Sequence, residues 1–414
     1  MNDQSMTDLS DFQPLSPAEE RLVQECSDSA RITLTGGELP EAETPETHVR
    51  AEFIRHVLVS DTIKLTAKGL RLRGAWITGV LDLQGADIPH DLSLSYCVID
   101  SGIELVNARM RGLYLSGCQM RSLSGDNADL DGALFIRGGT VVDGDVSLAG
   151  ARISGDLQGA EVARFRDEPD EPGASYPIRL DGFRYNDFSR HADTTVATRL
   201  NWLERRPTDT PFTAQPYEQL ARVLIDMGHR NDARAVLMSK ERLLRQANRD
   251  LMVQNSGYTP RWAIARFGDM VLRFSVGYGY RPGRIIVLAV VLIAALGWIF
   301  DQTWNAGDMT PNAAPILVSK DWIAATQSHP ENPGAFWSQP DQAGKDWETF
   351  NAYAYAADLV VPIVSLGQES AWAPSTSRSD WGRFGWWLRW IAKALGWVIT
   401  ALGAAAVTGA VRQE

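Results

Sequence analysis

The stretch Leu70-Arg71-Leu72-Arg73-Gly74-Ala75-Trp76-Ile77 is echoed almost at once by Leu81-Asp82-Leu83-Gln84-Gly85-Ala86-Asp87-Ile88. Looser copies of the phrase begin at Leu92, Ile103, Leu113, Leu123, Leu134 and Val146. Apolar residues two apart share one face of a strand, and a short fixed period stacks such strands into a column. Glycine suits the corner inside each unit because it accepts positive φ. The alanine after it fits a crowded interior edge. Two units give four short faces, or one coil of about 22 residues, with coils about 4.8 Å apart. Cys97 and Cys118 each take the alanine position, two units apart. They are expected to stack on neighbouring coils as reduced core residues.

The pattern resembles the pentapeptide-repeat proteins and related right-handed quadrilateral β-helices, over about a quarter of the chain. It departs from a strict five-residue period, slipping to ten residues at Leu113 and Leu123 and to twelve at Val146. The expected fold class is therefore an irregular β-solenoid, followed by an α-helical linker and two transmembrane helices.

Residues 1–60 are expected to cap the column with helices. Ser16-Pro17-Ala18-Glu19-Glu20 reads as an N-cap, a proline at the first helical position and acids in the first turn. A second helix is expected over about Thr47 to Leu58. The repeat domain spans 61–190. Asp-Glu-Pro-Asp-Glu-Pro-Gly within Arg164 to Ser175 reads as an exposed loop, and Ile178-x-Leu180-x-Gly182-Phe183-x-Tyr185 restores the phrase. Residues 191–255 switch to helical spacing. Tyr217, Leu220, Ala221 and Leu224 share one face, Gly228 ends that helix, and Ala233, Val236 and Leu237 open another. One tetratricopeptide-like unit has this form. Its two readings are a hairpin capping the solenoid and a peptide-binding groove.

Most of the 14 tryptophans lie from Trp298 onward, beside apolar runs, as in membrane interface belts. Pro260 to Phe274, within a juxtamembrane segment 256–280, interleaves aromatics with Arg261, Arg266 and Arg273 and suits a leaflet surface. Two spans are expected, at 281–304 and within 385–414, with 305–384 extracytoplasmic between them. Arg281 and Arg284 place the entry of the first span in the cytoplasm. Arg389 and Lys393 are expected to snorkel from the second. Met1 to Ser16 is acidic and polar, unlike a secretory signal, so the N-terminal domain is expected to be cytoplasmic.

A formal charge of −11 argues against nucleic acid as a partner. The three cysteines and six histidines show no metal-ligand spacing. No catalytic residue, cofactor site or metal site is expected, since nucleotide-loop, nucleophile-elbow and zinc-protease motifs are all missing from the sequence. Asp91, Asp145 and Asp156 read as solvated corner acids. Val276-Gly277-Tyr278-Gly279 mimics a potassium filter, but it precedes the first span, so it is read as a flexible joint. A helix over Phe350 to Leu359, then an apolar loop ending in Leu366-Gly367-Gln368-Glu369, stands where two-span channels carry their filter. Gly367, Gln368 and Glu369 are the candidate site residues, weighed against a loop lying on the membrane surface.

The whole order of elements resembles a poorly characterised set of bacterial membrane proteins, some labelled membrane-associated oxidoreductases. The resemblance implies a multi-pass protein of the bacterial inner membrane. The residues themselves favour a membrane-anchored scaffold presenting the β-helix to an unknown protein partner, without catalysis. An oligomeric two-span channel or pore is the alternative, which would make the protein a homo-oligomer in the bilayer. The oxidoreductase label has no motif behind it.

Overall fold

The computed structural model describes residues 8–28, 31–60, 62–158, 164–165, 178–190, 192, 195–207, 210–281 and 283–408. The chain divides into two compact units, Met1–Asn248 and Arg249–Glu414.

The first unit is a β-solenoid of about four turns over residues 70–153. The leucine pairs stack in register: Leu70 on Leu92, Leu92 on Leu113 and Leu113 on Leu134. The second series stacks Leu81 on Ile103, Ile103 on Leu123 and Leu123 on Val146. All pairings in these ladders are parallel. The uneven spacing in the sequence is absorbed at corners, where register shifts fall between Ile88 and Asp91 and between Ile99 and Gly102. Leu83, Leu92, Leu94, Leu113 and Leu115 are fully buried, so the paired leucines do fill the column.

Cys97 and Cys118 lie where the repeat places them. Their backbones continue one ladder: Val98 N–H donates to the Ala75 carbonyl, Gln119 N–H to Cys97 and Val141 N–H to Cys118. Both thiols are free and buried, and burial pushes the Cys118 thiol well above its ordinary range.

The N-terminal cap joins the sheets. Ile32–Thr33 pairs with the strand at Leu72, and His48–Arg50 pairs with Trp76–Thr78. The second cap helix therefore starts at Ala51, not near Thr47, because His48 to Arg50 cover the open edge of the first coil. The first helix, Pro17–Glu25, is capped as the sequence indicates. Ser16 accepts from Glu19 N–H, and the Glu19 carboxylate accepts from Ser16 N–H.

Glu19 is fully buried, with its carboxylate 2.7 Å from the Arg50 guanidinium. Burial alone would raise its pKa, but hydrogen bonds from Arg50 and Ser16 outweigh that and hold it below the ordinary value. Glu19→Ala is expected to cost the unit about 3 kcal/mol at pH 7, by leaving Arg50 without its buried partner. A depressed folded-state pKa stabilises above the unfolded carboxylate range and is lost as pH falls through the folded value. The gap between wild type and variant in denaturant midpoint should therefore close below about pH 4. An equal gap at pH 7 and pH 3 would refute this assignment.

At the far end Ile178 pairs with Val146, and Arg184–Phe188 pairs with the strand Arg152–Gln158. Arg164–Phe165, expected in a loop, is a short strand beside Val141–Val142. The remainder of that expected loop, 166–175, lies outside the described residues. Helix Gln215–Asp226 buries Tyr217, Leu220, Ala221 and Leu224 against the column. Its Gln215 amide accepts from Gly182 N–H and donates to the Phe183 carbonyl, and Gln219 donates to the Tyr185 carbonyl. These bonds satisfy strand groups that water would otherwise meet, so this helix caps the solenoid.

The second unit holds two helices long and apolar enough to cross a membrane, Gly283–Asn305 and Asp380–Ala406. The latter starts earlier than the apolar run suggests, because Ser379 accepts from Trp381 and Gly382 N–H groups and sets its first turn. Before them comes the helix Pro260–Ser275, with Ile264, Phe267 and Phe274 exposed. The expected flexible joint is instead a packed turn. Val276 and Tyr278 are buried, and the Tyr278 hydroxyl donates to Asp269 at 2.9 Å.

Candidate functional site

Between the two long helices the chain makes a braced excursion. After the strand Met309–Pro311 and three short helices, Ala314–Leu317, Lys320–Ser328 and Pro333–Trp337, comes the helix Ala352–Val360, capped by Asn351, whose side chain accepts from Tyr353 and Ala354 N–H groups. Alternating small and large apolar residues let it pack closely. Tyr355 meets Phe300 at 4.8 Å between ring centroids, and Tyr353 lies over Gly297 of the first long helix. Its C-terminal end meets the second long helix at Gly396, where a Cβ would lie 2.4 Å from the Leu359 carbonyl oxygen. Gly396 is thus a point of backbone contact that no larger residue permits.

The chain then turns through residues 361–367 and comes back. Trp372 returns to Trp304, with ring centroids 5.1 Å apart, and Trp372–Pro374 pairs antiparallel with Met309–Pro311. Leu296, Phe300, Tyr355, Leu359 and Trp372 share one core with residues of both long helices. The helix of this segment is therefore packed between the two long helices. Its apolar residues are long enough in helix to fill the groove between two apolar partners, which removes more surface from water than lying flat.

The three candidate residues sit on the return limb, and each has a structural task. Gly367 adopts φ +83°, which lets the chain reverse into the turn Gln368–Ala371. The Gln368 amide accepts from Asn351 N–H and donates to Glu348 and to the Thr349 carbonyl, tying the return limb to the start of the short helix. The Glu369 carboxylate pairs with Lys393 at 2.8 Å and with Arg389 at 3.6 Å, both on the second long helix. Those two cations were expected to snorkel outward; they turn toward the loop because an acid awaits them there.

Sequence reasoning missed Asp358. Its buried carboxylate accepts from the N–H groups of Leu366 and Glu369 and so clasps both sides of the turn. The signal was present: Asp358 is the lone charge between Phe350 and Leu366. Ionisable residues inside apolar helices carry a similar flag for Arg389 and Lys393.

Two acids and two bases thus brace a seven-residue turn whose tip is bare. Ile363 is 76% exposed, and Val364 and Leu366 are also exposed. The arrangement is charge-balanced, with Glu369 set against Lys393 and Arg389 and Asp358 held by backbone N–H groups. Among the described residues, no three His, Cys, Asp or Glu side chains converge as metal ligands. No protein-family model, curated protein or solved structure shows a significant match to the chain.

Proposed function

We propose that the chain is the subunit of an oligomeric membrane conduit, in which residues 352–367 form a re-entrant segment facing the conduit axis. The observation that carries this reading is the course of the chain. It runs as a helix packed between two membrane-length helices, turns at an exposed tip, and comes back to bond Glu348 and Thr349 just before that helix. An anchor needs only an apolar span. A clasp of Asp358, Glu369, Arg389 and Lys393 in such surroundings is costly, and ionisable groups at that depth usually mark an ion or substrate path. The C-terminal end of a helix also carries partial negative charge, so the end at Val360 favours a cation nearby.

Two spans cannot enclose a path alone. The exposed Ile363, Val364 and Leu366 at the tip therefore call for neighbouring copies. The resemblance in sequence supports the bacterial cytoplasmic membrane as the location. Arg281 and Arg284, with the basic amphipathic helix Pro260–Ser275, support a cytoplasmic solenoid. Native mass spectrometry of the detergent-solubilised full chain should give four or more copies. A monomer or dimer would overturn the conduit. That result would favour the second reading, a membrane-anchored scaffold whose stiff strand face docks a protein partner at low entropic cost.

A further inference from the structure

One outer face of the solenoid departs from the acidic character of the chain. Along the Leu-x-Leu strands the outward positions form two rows across four coils. One row runs Arg71, Ser93, Tyr114, Phe135, and the other runs Arg73, Ser95, Ser116, Arg137. Four strands at the usual spacing make the face about 14 Å wide. The three serines are short and lie between longer neighbours, so they form the floor of a cleft of roughly 410 Å³. That size is within the range of small-molecule sites.

The walls combine cations with aromatic rings. Arg73 lies 4.6 Å over the Tyr96 ring, which fixes one end. At the other end Tyr114 meets Phe135 edge-on at 5.1 Å, with Arg137 5.0 Å over Phe135. Arg31, Lys68 and Arg71 also line the cleft. Among the described lining residues the single carboxylate is Asp91, and it faces Arg111 at 3.7 Å. Lys68 and Arg71 have no acidic partner among the described residues. Concentrated positive charge on a chain of net −11 is not needed for solubility, and it opposes packing of like charges side by side.

We infer that this cleft binds a nucleotide-class ligand, a planar heteroaromatic ring carrying phosphate. Arginine and lysine supply charge-assisted bonds to phosphate oxygens. The Tyr114 and Phe135 rings, the latter carrying Arg137 on one face, can flank a base, whereas Tyr96 is taken up between Arg73 and Gly117. The serine hydroxyls can both donate and accept, as a ribose requires. A bare anion would have no use for the rings, and an apolar ligand would leave Lys68 and Arg71 without a counter-charge among the described residues. The shortness of this face on an acidic protein also disfavours a long polyanion. This inference stands apart from the conduit, since it concerns only the first unit.

The test is titration calorimetry of the full-length protein in detergent with ADP, adenosine and inorganic pyrophosphate as separate probes. ADP should bind saturably, about tenfold or more tighter than either fragment, and more weakly as salt rises. Arg71→Glu and Phe135→Ala should each lower ADP affinity about tenfold, whereas Arg121→Glu, on another part of the solenoid, should not. Lys68→Glu, on an exposed side chain, repeats the charge test should Arg71→Glu fail to fold. No saturable ADP binding, pyrophosphate bound as tightly as ADP, or equal loss in Arg121→Glu would each overturn the assignment.

Discussion

Leu83→Asp is expected to unfold the solenoid. Leu83 is fully buried, and its N–H bonds the Glu104 carbonyl of the next coil at 2.8 Å. Truncating a buried leucine costs about 2–5 kcal/mol, and a carboxylate placed there adds the cost of an unpaired charge or of its forced protonation. The sum reaches about 5 kcal/mol or more, comparable to the whole stability of a typical domain. In a stacked column each coil is supported by its neighbours, so the damage should spread rather than stay local. Hydrogen exchange of peptides from 70–153 in the full chain reads this directly. Protection should vanish in Leu83→Asp and survive in Leu83→Met, which conserves volume. Wild-type protection in Leu83→Asp would mean that the leucine pairs do not point inward.

Gly396→Leu is the second large effect. The added Cβ alone would meet the carbonyl oxygens of Leu359 at 2.4 Å and Val360 at 2.8 Å. Backbone cannot swing aside as a side-chain tip can, so the short helix must leave its groove. Its departure would pull Asp358 from the turn and separate Glu369 from Lys393, breaking the clasp at several points. Exchange of amides in 352–366 should accelerate more than tenfold. Gly268→Leu, where nothing lies within 4 Å, should leave it unchanged. Unaltered exchange in Gly396→Leu would contradict the packing described for this segment.

The solenoid was legible because its code is periodic. Paired leucines repeat wherever a coil must be filled, and the slips at Leu113 and Leu123 mark corners that bulge. The cap strands at Ile32 and His48 were not legible, since two or three residues carry no period and are recruited by the open edge they cover. A similar limit hid the turn at Tyr278. Its glycines suggested freedom, but the buried tyrosine bonded to Asp269 removes it. In the candidate site, Gly367, Gln368 and Glu369 stood out by their position between two apolar stretches. Asp358, Arg389 and Lys393 are visible as charges in apolar runs, but their pairing was not, because they lie 11, 20 and 24 residues from Glu369 and meet it only when the helices pack.

Ion flow itself is the most direct measurement. Purified full-length protein reconstituted in a planar bilayer under a salt gradient should give stepwise currents, and Gly396→Leu should abolish them while still inserting. Currents no greater than in protein-free bilayers would contradict a conduit through residues 352–367. So would currents that Gly396→Leu leaves intact.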